Sequence, residues 1–394
     1  MRVLTITLDP SEGQGGIEGR AMAYTAGLVN RGIHVEVAAL SPGKKTSEEA
    51  YQGTKLVRLS SSFLRFPWTL RSLVHLMGRS SVDSVFMLSG GATGAGIVVL
   101  CVSRLTGRRS AVMFYGRDIL QSRRRPIGRI ALLMSVLLAD GVGANSRYTL
   151  SLLPFRPRTP VIVYPGVDVG RARQRETAGR SRSEPRILFV GRLVRRKGAD
   201  ILLAAFGQLR AELPSVRLDV VGDGPEMSNL VSQANRLGLE GAVTFHGALF
   251  GQRLWDVYAK ASLLVLPSRQ SASDAEGFGT VFLEAGVFGI PSVGTRTGGI
   301  PEAVIDGATG KLVRADSTDE LRSAIKSLRD DPEEMERMGL RALEWARRFS
   351  WERSTDQVLR LLGYGPGEST GLAVSTENRR TSPVSEAGMP GEGL

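Results

Sequence analysis

The chain has 394 residues, 42% of them hydrophobic and 23% charged; this is globular composition, excludes a disordered chain, and is long enough that two domains are expected. Its net charge is +12, unevenly placed: residues 1–165 carry 21 Lys+Arg against 9 Asp+Glu, while 166–394 balance at 30 against 30. A basic first half suits an anionic partner such as a membrane surface, an acidic or phosphorylated substrate or nucleic acid, and an arginine-rich solvated surface accounts for it equally well.

The chain opens on RVLTITL (2–8), which reads as a buried strand and not as a leader peptide. HVEVAAL (34–40), DSVFML (83–88), SAVMFY (110–115), GVGAN (141–145) and PVIVY (160–164) read as further buried strands. Helical periodicity fills 17–31 and 128–139 between them. The apolar runs IVVLCV (97–102) and IALLMSVLLA (130–139) fall short of the ~20 residues a spanning helix needs. The single cysteine, Cys101, lies in one of them and reads as a buried, inert thiol, in keeping with a reducing, cytoplasmic compartment. Residues 63–77, FLRFPWTLRSLVHLM, and RRRP (123–126) mix basic and large apolar residues, which fits a membrane interface or ordinary amphipathic packing.

The stretch 169–185 is polar, charged and without apolar periodicity, as a linker would be. The alternation then restarts with RILFVG (186–191), RLDVVG (217–222), AVTFHG (242–247), SLLVLP (262–267), IPSVGT (290–295) and TGKLV (309–313). Helices are expected over 317–329, 333–348 and 351–363, and no fixed structure over 364–394. Buried strands alternating with helices imply parallel sheets covered on both faces, here two doubly wound α/β units in tandem with a cleft between them.

Ligands of such sheets collect at the carboxyl ends of the strands. There EGQGGIEG (12–19) places Gly15 and Gly16 before a helix, as an anion site or only a turn. In FVGRLVRRKG, Arg192 and Lys197 offer a fork-shaped cation and a point charge that suit a diphosphate, with Arg195 and Arg196 expected to be solvated. VGDGPE (221–226) brings Gly222 and Gly224 close by. The stretch EGFGTVFLE (276–284) follows the next strand: Gly277 and Gly279 let a helix N-terminus meet a phosphate, and Thr280 adds a hydroxyl. Glu284, one turn in, can accept both hydroxyls of a ribose diol, while Glu276 would face whatever the diphosphate carries. Two carboxylates flanking a phosphate site point to a nucleotide-linked sugar. His34, His75 and His246 form no ligand cluster in the sequence.

VGRLVRRKG, VGDGPE, EGFGTVFLE and GIPSVGTRTGGIPEAVIDGATGKLV together resemble the donor domain of retaining GT-B glycosyltransferases of family 4. The resemblance is strong over 186–313 and continues through GGIEG, GANSRYT (143–149), YPGVD (164–168) and FSWE (349–352). It implies a GT-B fold of two Rossmann-like domains facing across a cleft: an acceptor-binding domain over 1–168, the linker 169–185 and a donor-binding domain over 186–348. A helix over 349–363 would cross back to the first domain. It implies Arg192 and Lys197 on the diphosphate, Glu284 on the ribose, Glu276 on the donor sugar, and backbone at Gly16, Phe278 and Gly279 nearby. No cofactor or catalytic metal is implied; a UDP- or GDP-linked sugar is the co-substrate. One departure stands out: the family commonly has a histidine before a glycine near the donor sugar, and in MFYGRDIL (113–120) that place holds Tyr115, with Arg117 and Asp118 as acceptor-side candidates.

The expected activity is transfer of a hexosyl-type sugar to a lipid-linked or polysaccharide acceptor at the cytoplasmic membrane face. Alternatives are a soluble enzyme decorating a small molecule and a non-catalytic sugar-nucleotide-binding protein. Nucleic acid is not an expected partner, since no recognition motif accompanies the charge and aromatics are only 6%.

Overall fold

The computed structural model describes residues 1–8, 16–41, 47–51, 54–60, 71, 75, 77–78, 82–173 and 185–365. Gly15, most of 63–77, residues 174–184 of the expected linker and 366–394 lie outside them.

Two sheets organise the chain. The first has strands β1 (Arg2–Leu8), β2 (His34–Ser41), β3 (Ser47–Tyr51), β4 (Thr54–Ser60), β5 (Ser84–Met87), β6 (Arg109–Phe114), β7 (Gly141–Ala144) and β8 (Pro160–Ile162) in the order β3-β4-β2-β1-β5-β6-β7-β8. All its pairings are parallel except β3 with β4. That hairpin was not foreseen, and neither was the helix Gly94–Leu105, which takes up the apolar run 97–102. Cys101 sits on this helix half-buried, not fully buried as expected.

The second sheet holds β9 (Arg186–Val190), β10 (Arg217–Val221), β11 (Val243–Gly247), β12 (Leu263–Val265), β13 (Ser292–Thr295) and β14 (Gly310–Val313), all parallel, in the order β11-β10-β9-β12-β13-β14. Its central strands are short apolar runs buried on both faces: Ile187, Leu188 and Phe189 in β9 and Leu263, Leu264 and Val265 in β12 are at most 4% exposed. From β9 the chain winds outward through β10 and β11, then returns to the other side of β9 as β12. Loops leaving β9 and β12 therefore diverge, and the crevice between them is the topological switch point.

The last helix belongs to the first core. Val167 and Ser350 form a β-bridge as the chain recrosses, and Ser350 caps the helix Trp351–Leu361 by accepting from the Arg353 N–H. Val358 and Leu361 are buried with Val3, Leu28 and Val35. The Trp351 ring meets Tyr24 edge-on at 5.8 Å, and Arg31 pairs with Asp356 at 2.7 Å. This is the crossing helix of a GT-B fold.

Candidate functional site

The stretch 276–284 sits in the crevice between β9 and β12. Gly279 has φ +90° and starts the helix Thr280–Val287, a conformation that costs glycine little and other residues much. Gly277 is required for a different reason. A Cβ there would press into the Tyr115 carbonyl and the Asn145 side chain, both from the first domain. The two halves of the chain thus meet backbone to backbone at this turn. The Phe278 ring is buried, 1% exposed, in tilted contact with Tyr164 (5.4 Å) and Phe349 (5.7 Å), so only its backbone is available to a ligand.

Glu276 is the electrostatic centre. Its carboxylate accepts from Lys197 Nζ at 2.5 Å and Arg196 Nη1 at 2.8 Å. Burial alone would raise its pKa, but Lys197 and Arg196 together overcome that and hold it at about 2. Arg196 also pairs with Asp274 at 3.1 Å, and its side chain is only 20% exposed. The expectation that Arg196 is solvated is therefore wrong: the 3-10 turn Arg195–Lys197 aims it into the crevice with Lys197, while Arg195 remains exposed. Arg192, just past β9, is exposed, and its side chain makes no hydrogen bond or ion pair among the described residues. It is a guanidinium open to an incoming anion. Gly222 lies against the Gly191 carbonyl, bringing the β10 loop to the same edge.

Glu284 lies one turn into the helix. It accepts from the Tyr258 hydroxyl at 2.8 Å, and burial raises its pKa against the opposing effects of Tyr258, Arg20 and Lys197. Tyr258 is itself fixed in a cluster of three near-parallel rings, with Trp255 at 5.7 Å and Phe288 at 5.6 Å. One carboxylate oxygen is thereby anchored, leaving the other to accept from a ligand hydroxyl.

The first domain supplies a residue the sequence reading missed. Arg20, on the helix Gly16–Val29, donates to Thr280 Oγ1 across the crevice at 3.0 Å and stands 5.3 Å from the centroid of the Tyr115 ring. The place where the family has a histidine thus carries a tyrosine lying under an arginine, so a cation is present there after all. Tyr115 is buried at the end of β6. Arg117 is exposed on the following helix. Asp118 is committed to the turn: its carboxylate accepts from the Tyr115 N–H (3.0 Å) and the Ile119 N–H (2.9 Å), and burial, opposed by these bonds, raises its pKa to about 6.

Both bonds can be made by Asp118 Oδ1, which asparagine retains. Asp118→Asn should therefore leave stability at neutral pH within about 1 kcal/mol of wild type, and Asp118→Ala should cost about 1–3 kcal/mol. Denaturant unfolding of both variants checks this; equal losses would show that the charge and not the turn matters.

Glu302, in the GGIPE segment, completes the closure. It accepts from the backbone N–H groups of Arg147 and Tyr148, each at 2.8 Å, and from the Tyr164 hydroxyl at 3.0 Å. Gly299 donates to the Glu276 carbonyl at 2.9 Å, so the segment that latches the domains also braces the crevice turn. His246 pairs with Asp219 at 2.7 Å, a packing role. Among the described residues no three His, Cys, Asp or Glu side chains gather to hold a metal ion, and no helix is long and apolar enough to cross a membrane.

The site can hold an anion at the crevice edge and hydroxyls on either side of it. Comparisons with known proteins bear on the family and the fold. Residues 170–345 match the family model of glycosyl transferases group 1, and residues 14–171 that of glycosyltransferase family 4. The chain is 32% identical over 363 residues to a GDP-mannose-dependent alpha-(1-6)-phosphatidylinositol monomannoside mannosyltransferase of Mycolicibacterium smegmatis, covering 87% of this chain and 93% of that protein. It is 37% identical over 213 residues to a D-inositol 3-phosphate glycosyltransferase of Segniliparus rotundus, covering 52% and 46%. Among solved structures, Anabaena HepE in complex with UDP and glucose superposes with a TM-score of 0.72 at 22% identity, covering 92% of this chain and 99% of that one. A sucrose-phosphate synthase from Thermosynechococcus elongatus gives 0.73 at 21%, covering 91% and 98%. At these identities the structural likenesses bear on the fold alone.

Proposed function

The chain belongs to the family 4 glycosyltransferases, and from that premise we propose that this nucleotide-sugar glycosyltransferase retains anomeric configuration, needs no metal ion and acts on a lipid-linked acceptor at the inner face of the cell membrane. The observation that carries the proposal is the crevice turn, where two carboxylates, Glu276 and Glu284, flank a helix N-terminus beside Arg192 and Lys197. Arg192, Lys197 and the N–H groups at Gly279 and Thr280 take the diphosphate. Glu284 accepts from the ribose hydroxyls, and Glu276 from those of the sugar. Backbone at Gly16 and Phe278 borders the donor. The glycosidic bond between the anomeric carbon and the diphosphate breaks as the acceptor oxygen attacks from the same face. The acceptor's proton passes to the departing phosphate oxygen, the nearest base on that face. Charge growing on the diphosphate is met by side-chain cations already in place, which is the task a metal would otherwise perform.

The acceptor reading draws on the phosphatidylinositol mannoside named for the mycolicibacterial relative and on the basic first half of the chain. A second reading, transfer to a small soluble polyol phosphate, is favoured by the higher identity to the inositol phosphate enzyme over half the chain. Transfer assays with GDP-mannose and UDP-glucose, each offered both acceptor classes with a chelator present, separate the readings. The proton coupling of the product's anomeric carbon reports retention. Inversion, or activity abolished by the chelator and restored by a divalent ion, would overturn the corresponding part.

Glu284→Ala should weaken binding of the preferred nucleoside diphosphate by about 1–3 kcal/mol, the cost of leaving ribose hydroxyls unpaired in a closed site. Calorimetry showing unchanged affinity would remove the ribose assignment.

A further inference from the structure

The helix Pro126–Leu138 is apolar on both faces. Ala131, Leu132 and Val136 are buried beneath it, as expected of a helix covering a sheet. Its outer face should then be polar. Instead it presents Ile127 (82% exposed), Ile130 (60%), Leu133 (39%) and Leu137 (55%). Steps of three and four residues align these within about a third of the helix circumference, forming one ridge about 15 Å long. The neighbouring helix Gly94–Leu105 packs beside it and ends in Leu105, 86% exposed. Of the ten large hydrophobic residues exposed among the described residues, five lie on this helix pair, which is a patch and not scatter.

The patch is flanked by a cluster of arginines. Arg123, Arg124 and Arg125 lead into the helix, Arg129 lies on it and Arg104 lies on its neighbour; all five are exposed. None pairs with a carboxylate among the described residues. A second copy of this chain is a poor occupant, because neither helix carries an Asp or Glu with which a self-complementary two-fold contact could meet the arginines. An anionic bilayer satisfies both halves, taking apolar side chains at its acyl boundary and arginines at its phosphates. The position also fits. β6 ends at Phe114, and Tyr115–Gly116 and the helix Arg117–Ser122 lead directly to the arginines, so the basic end of the ridge starts from the edge of the sheet that faces the crevice.

We propose that the helix Pro126–Leu138 is a membrane-docking face, its Ile127–Ile130–Leu133–Leu137 ridge entering an anionic leaflet while Arg123, Arg124, Arg125 and Arg129 hold lipid phosphates. This deepens the lipid-linked acceptor reading and rests on it for purpose, but its test needs neither donor nor acceptor.

The full chain is co-sedimented with vesicles of phosphatidylcholine alone and of phosphatidylcholine with phosphatidylglycerol. Binding is expected to the anionic vesicles and to weaken with salt. Combined Ile127→Ser, Ile130→Ser and Leu137→Ser should lower it about tenfold or more even at low salt, and each of Arg123→Ser, Arg124→Ser and Arg125→Ser by about fivefold. These residues are exposed and lie outside the donor crevice, so thermal stabilisation by nucleoside diphosphate should be unchanged, which certifies the fold of each variant. Fluorescence of an Ile130→Trp variant should be quenched by brominated acyl chains. The proposal is overturned if wild type ignores anionic vesicles, if the apolar variant binds them as wild type does, or if wild type is a dimer that the apolar variant splits. Failed sugar transfer with vesicle binding intact would instead count against the enzymatic reading and leave the docking face standing.

Discussion

Glu276→Ala is expected to lower sugar transfer by about 100-fold or more while bare nucleoside diphosphate binds as tightly as before, or more tightly. In the structure this carboxylate is the internal counter-ion of Lys197 and Arg196. An entering diphosphate must share Lys197 with it, so removing the carboxylate frees a cation for the anion. What is lost is the acceptor for the sugar hydroxyls, and with it the orientation of the anomeric carbon. The pH dependence of stability should change as well. With its pKa held at about 2 in the folded protein, against an ordinary value of 4.5, Glu276 stabilises the fold above the ordinary value and loses that contribution as pH falls from there towards 2. Acid unfolding of the variant should lack this component. If transfer and nucleoside diphosphate affinity fall together by the same factor, Glu276 supports the turn and does not touch the sugar.

Arg192→Ala should reduce kcat by about 100- to 1000-fold with a smaller change in KM, because charge on the diphosphate grows as the glycosidic bond breaks. Arg192 has no partner to lose among the described residues, so melting of the ligand-free protein should not change. Lys197→Ala should resemble it in turnover but differ in stability, since Glu276 would keep only Arg196. The double variant should fall short of the product of the single effects, as both cations serve one anion. Steady-state kinetics of the three variants decide this; an effect confined to KM would assign Arg192 to ground-state binding.

Much of this arrangement is legible in the sequence because the constraints there are local. A glycine at φ +90° before an apolar helix, or an apolar run bounded by glycine, leaves its mark within ten residues, and EGFGTVFLE and RILFVGR were read accordingly. The helix Gly94–Leu105 was not, since a short run such as IVVLCV is equally compatible with a buried strand, and periodicity cannot separate the two. The edge hairpin β3–β4 escaped because EEAY is polar and lacks the marks of a buried strand. In the site, Arg196 was missed because all three residues of RRK are basic, and which of them face inward is set by Asp274 and Glu276, about 80 residues away. Arg20 and Glu302 act across the crevice on the other domain, and no local pattern encodes a contact of that kind.

The central claim is that the crevice between β9 and β12 is a diphosphate site built from Arg192, Lys197 and the turn at Gly279. Calorimetric titration of GDP, UDP and the corresponding monophosphates into wild type and the Arg192→Ala, Lys197→Ala double variant tests it most directly. The account predicts that at least one nucleoside diphosphate binds wild type, that its monophosphate binds much more weakly, and that the double variant loses the difference. No binding of either diphosphate, or a diphosphate preference that survives in the double variant, would contradict it.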